Sequence, residues 1–95
     1  MVIEDLKVEL EKIISNLTAS GFDNIDSGIL EKLEEYALTA GELGMYEGKR
    51  LIENLVGVMK AIQEGKSQAD SGQVRLTALN FYLINLSGGE QTEDL

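Results

Sequence analysis

The chain has 95 residues and a formal net charge of −9, and it contains no Cys, His or Pro. Without thiol or imidazole groups it cannot form a disulfide or an ordinary zinc site, and it lacks the commonest catalytic nucleophiles and bases. Its apolar content of 43% suffices for one hydrophobic core, so we expect a single folded domain that has neither cofactor nor catalytic activity.

No stretch approaches the roughly 20 consecutive apolar residues of a membrane span. Residues 1–5 also lack the basic start and apolar run of a signal peptide. We therefore expect a cytoplasmic protein that makes no membrane contact.

Apolar residues at helical spacing predict a first helix over residues 2–20, which Gly21 ends. Asp26 or Ser27 then offers a side-chain oxygen to the free amides of a second helix, which ends before Gly44. The core-facing stripe of the first helix is Ile3, Leu6, Leu10, Ile13 and Leu17, and that of the second is Leu30, Leu33, Ala37 and Ala40.

A third helix follows Gly44 and ends at Gly65. Because its connection to the second helix is only a few residues long, these two helices should form an antiparallel hairpin. The apolar stripe of the third helix is Leu51, Leu55, Val58 and Ile62, joined by Ile52 and Met59.

Residues 66–72 read as a polar loop, in which Asp70 or Ser71 can cap a fourth helix over about residues 73–86. The serine and two glycines that follow end this helix, and residues 87–95 form a flexible acidic tail. The sequence therefore predicts an all-α domain over its first 86 residues, a small antiparallel (up-and-down) four-helix bundle.

Two glycines, Gly48 and Gly57, lie inside the third predicted helix, where each costs roughly 1 kcal/mol relative to alanine. Close approach of a neighbouring helix would offset that cost. We expect both glycines to provide such an approach.

The fourth helix is apolar nearly all round, which exceeds what one small core needs. Its expected core residues are Leu76, Leu79, Tyr82 and Leu83. Its candidate contacts for a partner are Val74, Phe81 and Ile84, together with Tyr82. The partner is another protein or a second copy of this chain, which would form a homodimer through this helix.

Negative charge is concentrated in residues 1–44, which hold ten acidic and three basic residues, whereas residues 45–86 hold four and five. Nucleic acid would be repelled by the first two helices, so we expect no nucleic-acid binding. The same field would suit an acidic mimic of DNA that occupies a basic protein.

Three carboxylates, those of Glu31, Glu34 and Glu35, share one face of the second helix. Such a cluster resembles half of the magnesium site of the all-helical nucleotide pyrophosphohydrolases. That family needs a second acidic pair, E-x-x-D, on the facing helix, and no glutamate of the second and third helices has an aspartate three residues later. We therefore expect no metal site and treat the three glutamates as candidate protein contacts.

A first family resemblance rests on Leu43-Gly44 at the turn of the helical hairpin and Ile62-Gln63-Glu64-Gly65 at its end. The hairpin resembles the histidine phosphotransfer domain, a four-helix bundle that relays phosphoryl groups. With Gly44 fixed, the family pattern H-x-x-K-G falls on Glu34, Ala37 and Leu38, and all three depart from it. The resemblance implies a pseudo-phosphotransfer bundle over residues 27–86 that binds a receiver-like partner.

A second resemblance rests on Gly21-Phe22-Asp23-x-Ile25-Asp26, Leu33-Glu34-Glu35-x-Ala37 and Glu42-Leu43-Gly44-Met45. This succession is similar to helical segments that accompany bacterial SWIM zinc-finger proteins. The Cys and His ligands of the finger are absent here, so the resemblance implies an accessory helical module.

The sequence as a whole thus predicts a non-catalytic interaction, scaffold or regulatory module. The alternatives are the pseudo-phosphotransfer bundle, the acidic DNA mimic and, least favoured, a magnesium-dependent helical hydrolase that uses the glutamate cluster.

Overall fold

The computed structural model describes residues 2–23 and 25–93, with side chains up to Leu86. It contains four helices: α1 (Ile3–Ser20), α2 (Ser27–Glu42), α3 (Tyr46–Gln63) and α4 (Ala69–Glu93). The described residues include no β-strand, so the predicted all-α class is confirmed.

The four helices form a closed ring. Each helix contacts the next along the chain and α4 contacts α1, whereas the described residues of the diagonal pairs, α1 with α3 and α2 with α4, make no close approach. The connections are short, with only residues 43–45 between α2 and α3. Consecutive helices are therefore antiparallel, which confirms the up-and-down four-helix bundle.

The helix ends follow the expected turn chemistry. Asp26 is the N-cap of α2, since its Oδ1 accepts a hydrogen bond of 2.9 Å from the Gly28 amide. Gly21, Gly44 and Gly65 follow α1, α2 and α3 with φ angles of 75°, 80° and 76°. Positive φ is the conformation that glycine adopts without steric cost, so the predicted stops are confirmed.

The core is built from the apolar stripes that face the centre of the ring. The predicted stripe of α2 is buried, and so is that of α1 except for Ile3, which is partly buried. On α3 the buried residues are Gly48, Ile52, Leu55, Val56 and Met59. Of the predicted α3 stripe, Leu51 and Ile62 are partly buried and pack against this core. The stripe is wrong at Val58, which is half-buried outside the core because α3 turns Ile52 and Met59 inward between α2 and α4.

The start of α4 differs from the prediction, because the helix begins at Ala69 rather than near residue 73. A Cβ atom on Gly72 would lie 2.9 Å from ring atoms of Phe22, whose side chain is buried in the connection between α1 and α2. This close contact holds the first turn of α4 against the end of α1. Tertiary packing thus overrides the loop-like composition of residues 66–72.

The end of α4 also differs, because the helix runs through the predicted stop to Glu93. Glycine permits a left-handed cap but does not require one, since negative φ is equally open to it. The flexibility expected of residues 87–95 stays a prediction, and residues 94–95 lie outside the described part of the chain.

The two glycines of α3 have different surroundings. A Cβ atom on Gly48 would lie 3.0 Å from Tyr82 Cε2, so the prediction of a close helix approach is confirmed there. A Cβ atom on Gly57 would have nothing within 4 Å. The same prediction for Gly57 is wrong, because that residue lies on the exposed side of α3.

The two glycines should respond differently to the same substitution. Gly57→Ala should raise the free energy of unfolding by about 1 kcal/mol, because it improves helix propensity and meets open space. Gly48→Ala gains the same propensity but displaces the Tyr82 ring, so it should be less stable than Gly57→Ala by about 1 kcal/mol or more. Urea denaturation followed by circular dichroism measures both, and equal stabilisation would contradict the assigned contact.

A polar contact joins α1 to α2 at the edge of the core. The Tyr36 hydroxyl donates a hydrogen bond of 3.4 Å to Glu9 Oε1. Burial is the largest cause that raises the pKa of Tyr36 above its ordinary value of 10.0, and the negative charge of Glu9 raises it further. The folded protein therefore holds this proton more tightly than the unfolded chain does.

This shift predicts a loss of stability in alkaline solution. The contribution of Tyr36 is fully present below pH 10.0 and is lost as the pH rises through the higher pKa of the folded state. Between about pH 9 and pH 11, the wild type should lose more unfolding free energy than Tyr36→Phe does. Guanidinium denaturation of both proteins across that range measures the difference, and parallel pH profiles would exclude the shift.

Candidate functional site

The helix α4 carries apolar residues on two opposite faces. Its inner face enters the core, where Leu76 is 3% exposed and Leu79 and Leu83 are fully buried. The sequence-based assignment of these three residues to the core is confirmed. Outside the core, large apolar side chains remain in solvent. They are Val74, 64% exposed, Phe81, 64% exposed, and Ile84, 56% exposed.

These exposed residues follow a regular spacing. Val74, Thr77, Phe81 and Ile84 are separated by three, four and three residues, which places them in one line along the helix. We call this line the outer seam of α4. It extends over about 15 Å, given a rise of about 1.5 Å per residue. Sequence reasoning missed Thr77, although the spacing of its neighbours contains the signal.

The outer seam is electrically neutral. Residues 76–89 include no Asp, Glu, Lys or Arg, in a chain that has 17 acidic and 8 basic residues. The flanking positions Gln73, Ala78, Asn80 and Asn85 are also uncharged, and the nearest charged residues of α4 are Arg75, next to Val74, and Asp70, one turn before Val74. From residue 76 onward, the outer face of α4 is thus unlike the rest of the surface, on which charged side chains surround the other three helices.

Tyr82 lies beside the outer seam but is half-buried against α3. Burial raises the pKa of its hydroxyl; a hydrogen bond with the Gly48 backbone lowers it, and the charge of Glu47 raises it. Its ring is thus engaged within the bundle, as the core assignment predicts. Its role as a partner contact stays a prediction.

The acidic candidates lie elsewhere. Glu31, Glu34 and Glu35 are exposed on α2, which is diagonally opposite α4 in the ring. Glu34 accepts a hydrogen bond of 2.9 Å from Lys60 Nζ on α3, a surface ion pair worth about 0–1 kcal/mol. The fold therefore separates the two sets of predicted contact residues instead of bringing them into one site.

A shallow depression of about 500 Å³ lies between α2 and α3. Ala37, Val56 and Gly57 line it together with Leu38, which is 66% exposed. Lys60, at the rim of the depression, forms an ion pair with Glu34. Glu53 forms another with Lys49, with 2.8 Å between Oε2 and Nζ. Its charged groups are thus engaged in ion pairs, and its surface chemistry is apolar.

Within the described residues, no three Asp or Glu side chains come close enough together to hold a metal ion. Over the same residues, none of the helices combines the length and hydropathy that crossing a bilayer requires.

No protein family, curated protein or solved structure matches this chain. The resemblances to phosphotransfer domains and to SWIM-associated segments therefore stay predictions. The site on which a functional conclusion can be built is the outer seam of α4.

Proposed function

We propose that this chain is a non-catalytic interaction module that contacts another protein, or a second copy of itself, through the outer seam of α4. The observation that carries the proposal is the exposure of Val74, Phe81 and Ile84 in one uncharged line. Exposed apolar residues that are scattered singly need no explanation, whereas an aligned and uncharged set is typical of interaction sites.

The energetics of the seam favour reversible contact. Full burial of a Val, Ile or Phe side chain contributes about 1.5–3 kcal/mol, and the three seam side chains are now more than half exposed. Association costs about 4–15 kcal/mol in lost translational and rotational freedom. The gain from the seam is of the same order as that cost, so we expect a weak affinity that neighbouring contacts can adjust.

The composition supports a role without bond chemistry. The chain has neither His nor Cys to serve as a base or nucleophile. Of the three clustered glutamates of α2, Glu34 is paired with Lys60 on the surface. We propose that the module acts in the cytoplasm by binding alone.

Photo-crosslinking tests the proposed surface. A benzophenone amino acid at position 81, on the seam, should give adducts of defined mass in cells that express the protein. The matched control is the same group in place of Glu31, which is exposed on α2 across the bundle. We expect no such adducts from the control, because its position is diagonal to α4. Uncrosslinked monomer alone from position 81, or identical adducts from both positions, would refute the proposal.

A further inference from the structure

We infer that the occupant of the outer seam is a second copy of this chain, bound as an antiparallel pair of α4 helices. The inference rests on the proposed function and names its partner. Three features carry it: the pairing of residues that the seam spacing allows, the absence of charge beside the seam, and the dipole of α4.

The spacing of the seam is self-complementary. In an antiparallel pair centred on Leu79, Val74 lies opposite Ile84 of the second copy, and Thr77 lies opposite Phe81 of the second copy. Each large aromatic ring then meets a smaller side chain, and the two-fold symmetry repeats both contacts. Leu79 itself is fully buried in its own bundle and does not take part.

The absence of charge at the seam favours a second copy of this chain over a partner with a charged surface. Two identical chains of net charge −9 repel each other, and the seam is where that repulsion is weakest. Paired helices usually select their partners by charges beside the seam. The corresponding residues here are all uncharged: Gln73, Ala78, Asn80 and Asn85. The seam therefore offers a charged partner no specific attraction and offers an identical face no repulsion.

The dipole of α4 favours the antiparallel orientation, whereas the charged side chains at the helix start do not decide it, because Asp70 offsets Arg75. A parallel pair would place both negative dipole ends together. An antiparallel pair places each negative dipole end near the positive end of the other helix.

The size of the seam sets the expected strength. A contact about 15 Å long is shorter than a standard interface, which buries about 800 Å² per partner. We therefore expect a weak dimer. Its population should rise with the concentration of the chain and become complete only at about 1 mM.

Sedimentation equilibrium of the full chain tests the dimer. The wild type should approach twice the monomer mass at about 1 mM, and Phe81→Glu should weaken dimerisation at least tenfold by bringing two carboxylates into the pair. The matched control is Leu38→Glu, because Leu38 is 66% exposed on α2 and Phe81 is 64% exposed on α4. The control should dimerise as the wild type does. A wild type that stays monomeric, or equal weakening by both substitutions, would overturn the inference.

Cysteine pairing tests the orientation, because the natural chain contains no cysteine. A mixture of Val74→Cys and Ile84→Cys chains should form a disulfide between the two variants under mild oxidation. Neither variant should crosslink to itself, since the two copies of position 74 lie about 15 Å apart along an antiparallel pair. Self-crosslinking of Val74→Cys would show a parallel pair and overturn the antiparallel assignment.

The two proposals fail in different ways. If the chain stays monomeric while position 81 crosslinks to a protein of another mass, the second copy is wrong and the interaction surface stands. If position 81 gives no adduct with any protein, including a second copy, both are wrong.

Discussion

The bundle depends on α4 closing the ring between α3 and α1. Leu76, Leu79 and Leu83 supply the last wall of the core, and among the described residues no Cα atom of α1 lies within 8 Å of a Cα atom of α3. Without α4, the apolar stripes of both neighbours would face water. Two close contacts along the helix fix this position. Phe22 packs on Gly72 near the start of α4, and Tyr82, midway along α4, packs on Gly48.

The same helix has a second face that the fold does not use. The residues of α4 that point into the ring fill its part of the core, and two of them, Leu79 and Leu83, are completely buried. The outer seam is therefore in excess of what folding needs, which is why we propose it as the contact with a partner. The division of one helix into a face that enters the core and a face that stays exposed explains why α4 is apolar nearly all round, while α1, α2 and α3 each have one apolar stripe.

Helical spacing and turn residues were enough to predict the fold class, the number of helices and the core of α1, α2 and α4. The errors arose where contacts distant in sequence decide the structure. The contact between Phe22 and Gly72 draws residues that look like a loop into α4. The surroundings of Gly57 depend on which side of α3 meets its neighbours, and a mid-helix glycine alone does not reveal that. The exposure of Phe81 was predictable, because other apolar residues of α4 occupy the helix positions that face the core.

The separation of the candidate contact residues into two distant surfaces could not be predicted from the sequence, because it also depends on contacts between residues distant in sequence. The acidic cluster of α2 and the apolar seam of α4 lie diagonally across the ring, and only the order of packing around the ring determines that separation. Glu34 also reaches across to Lys60, which a sequence pattern along one helix does not show.

Nuclear magnetic resonance tests most directly whether the outer face of α4 is the surface through which this protein makes contacts. Amide spectra of the uniformly labelled chain would be compared between dilute and concentrated solution, up to about 1 mM. We expect the concentration-dependent shifts to be confined to residues 73–85 of α4, with the amides of α2 unchanged. Spectra that do not change with concentration would contradict a second copy as the occupant of this face, and shifts centred on the α2 and α3 surface would contradict the face itself.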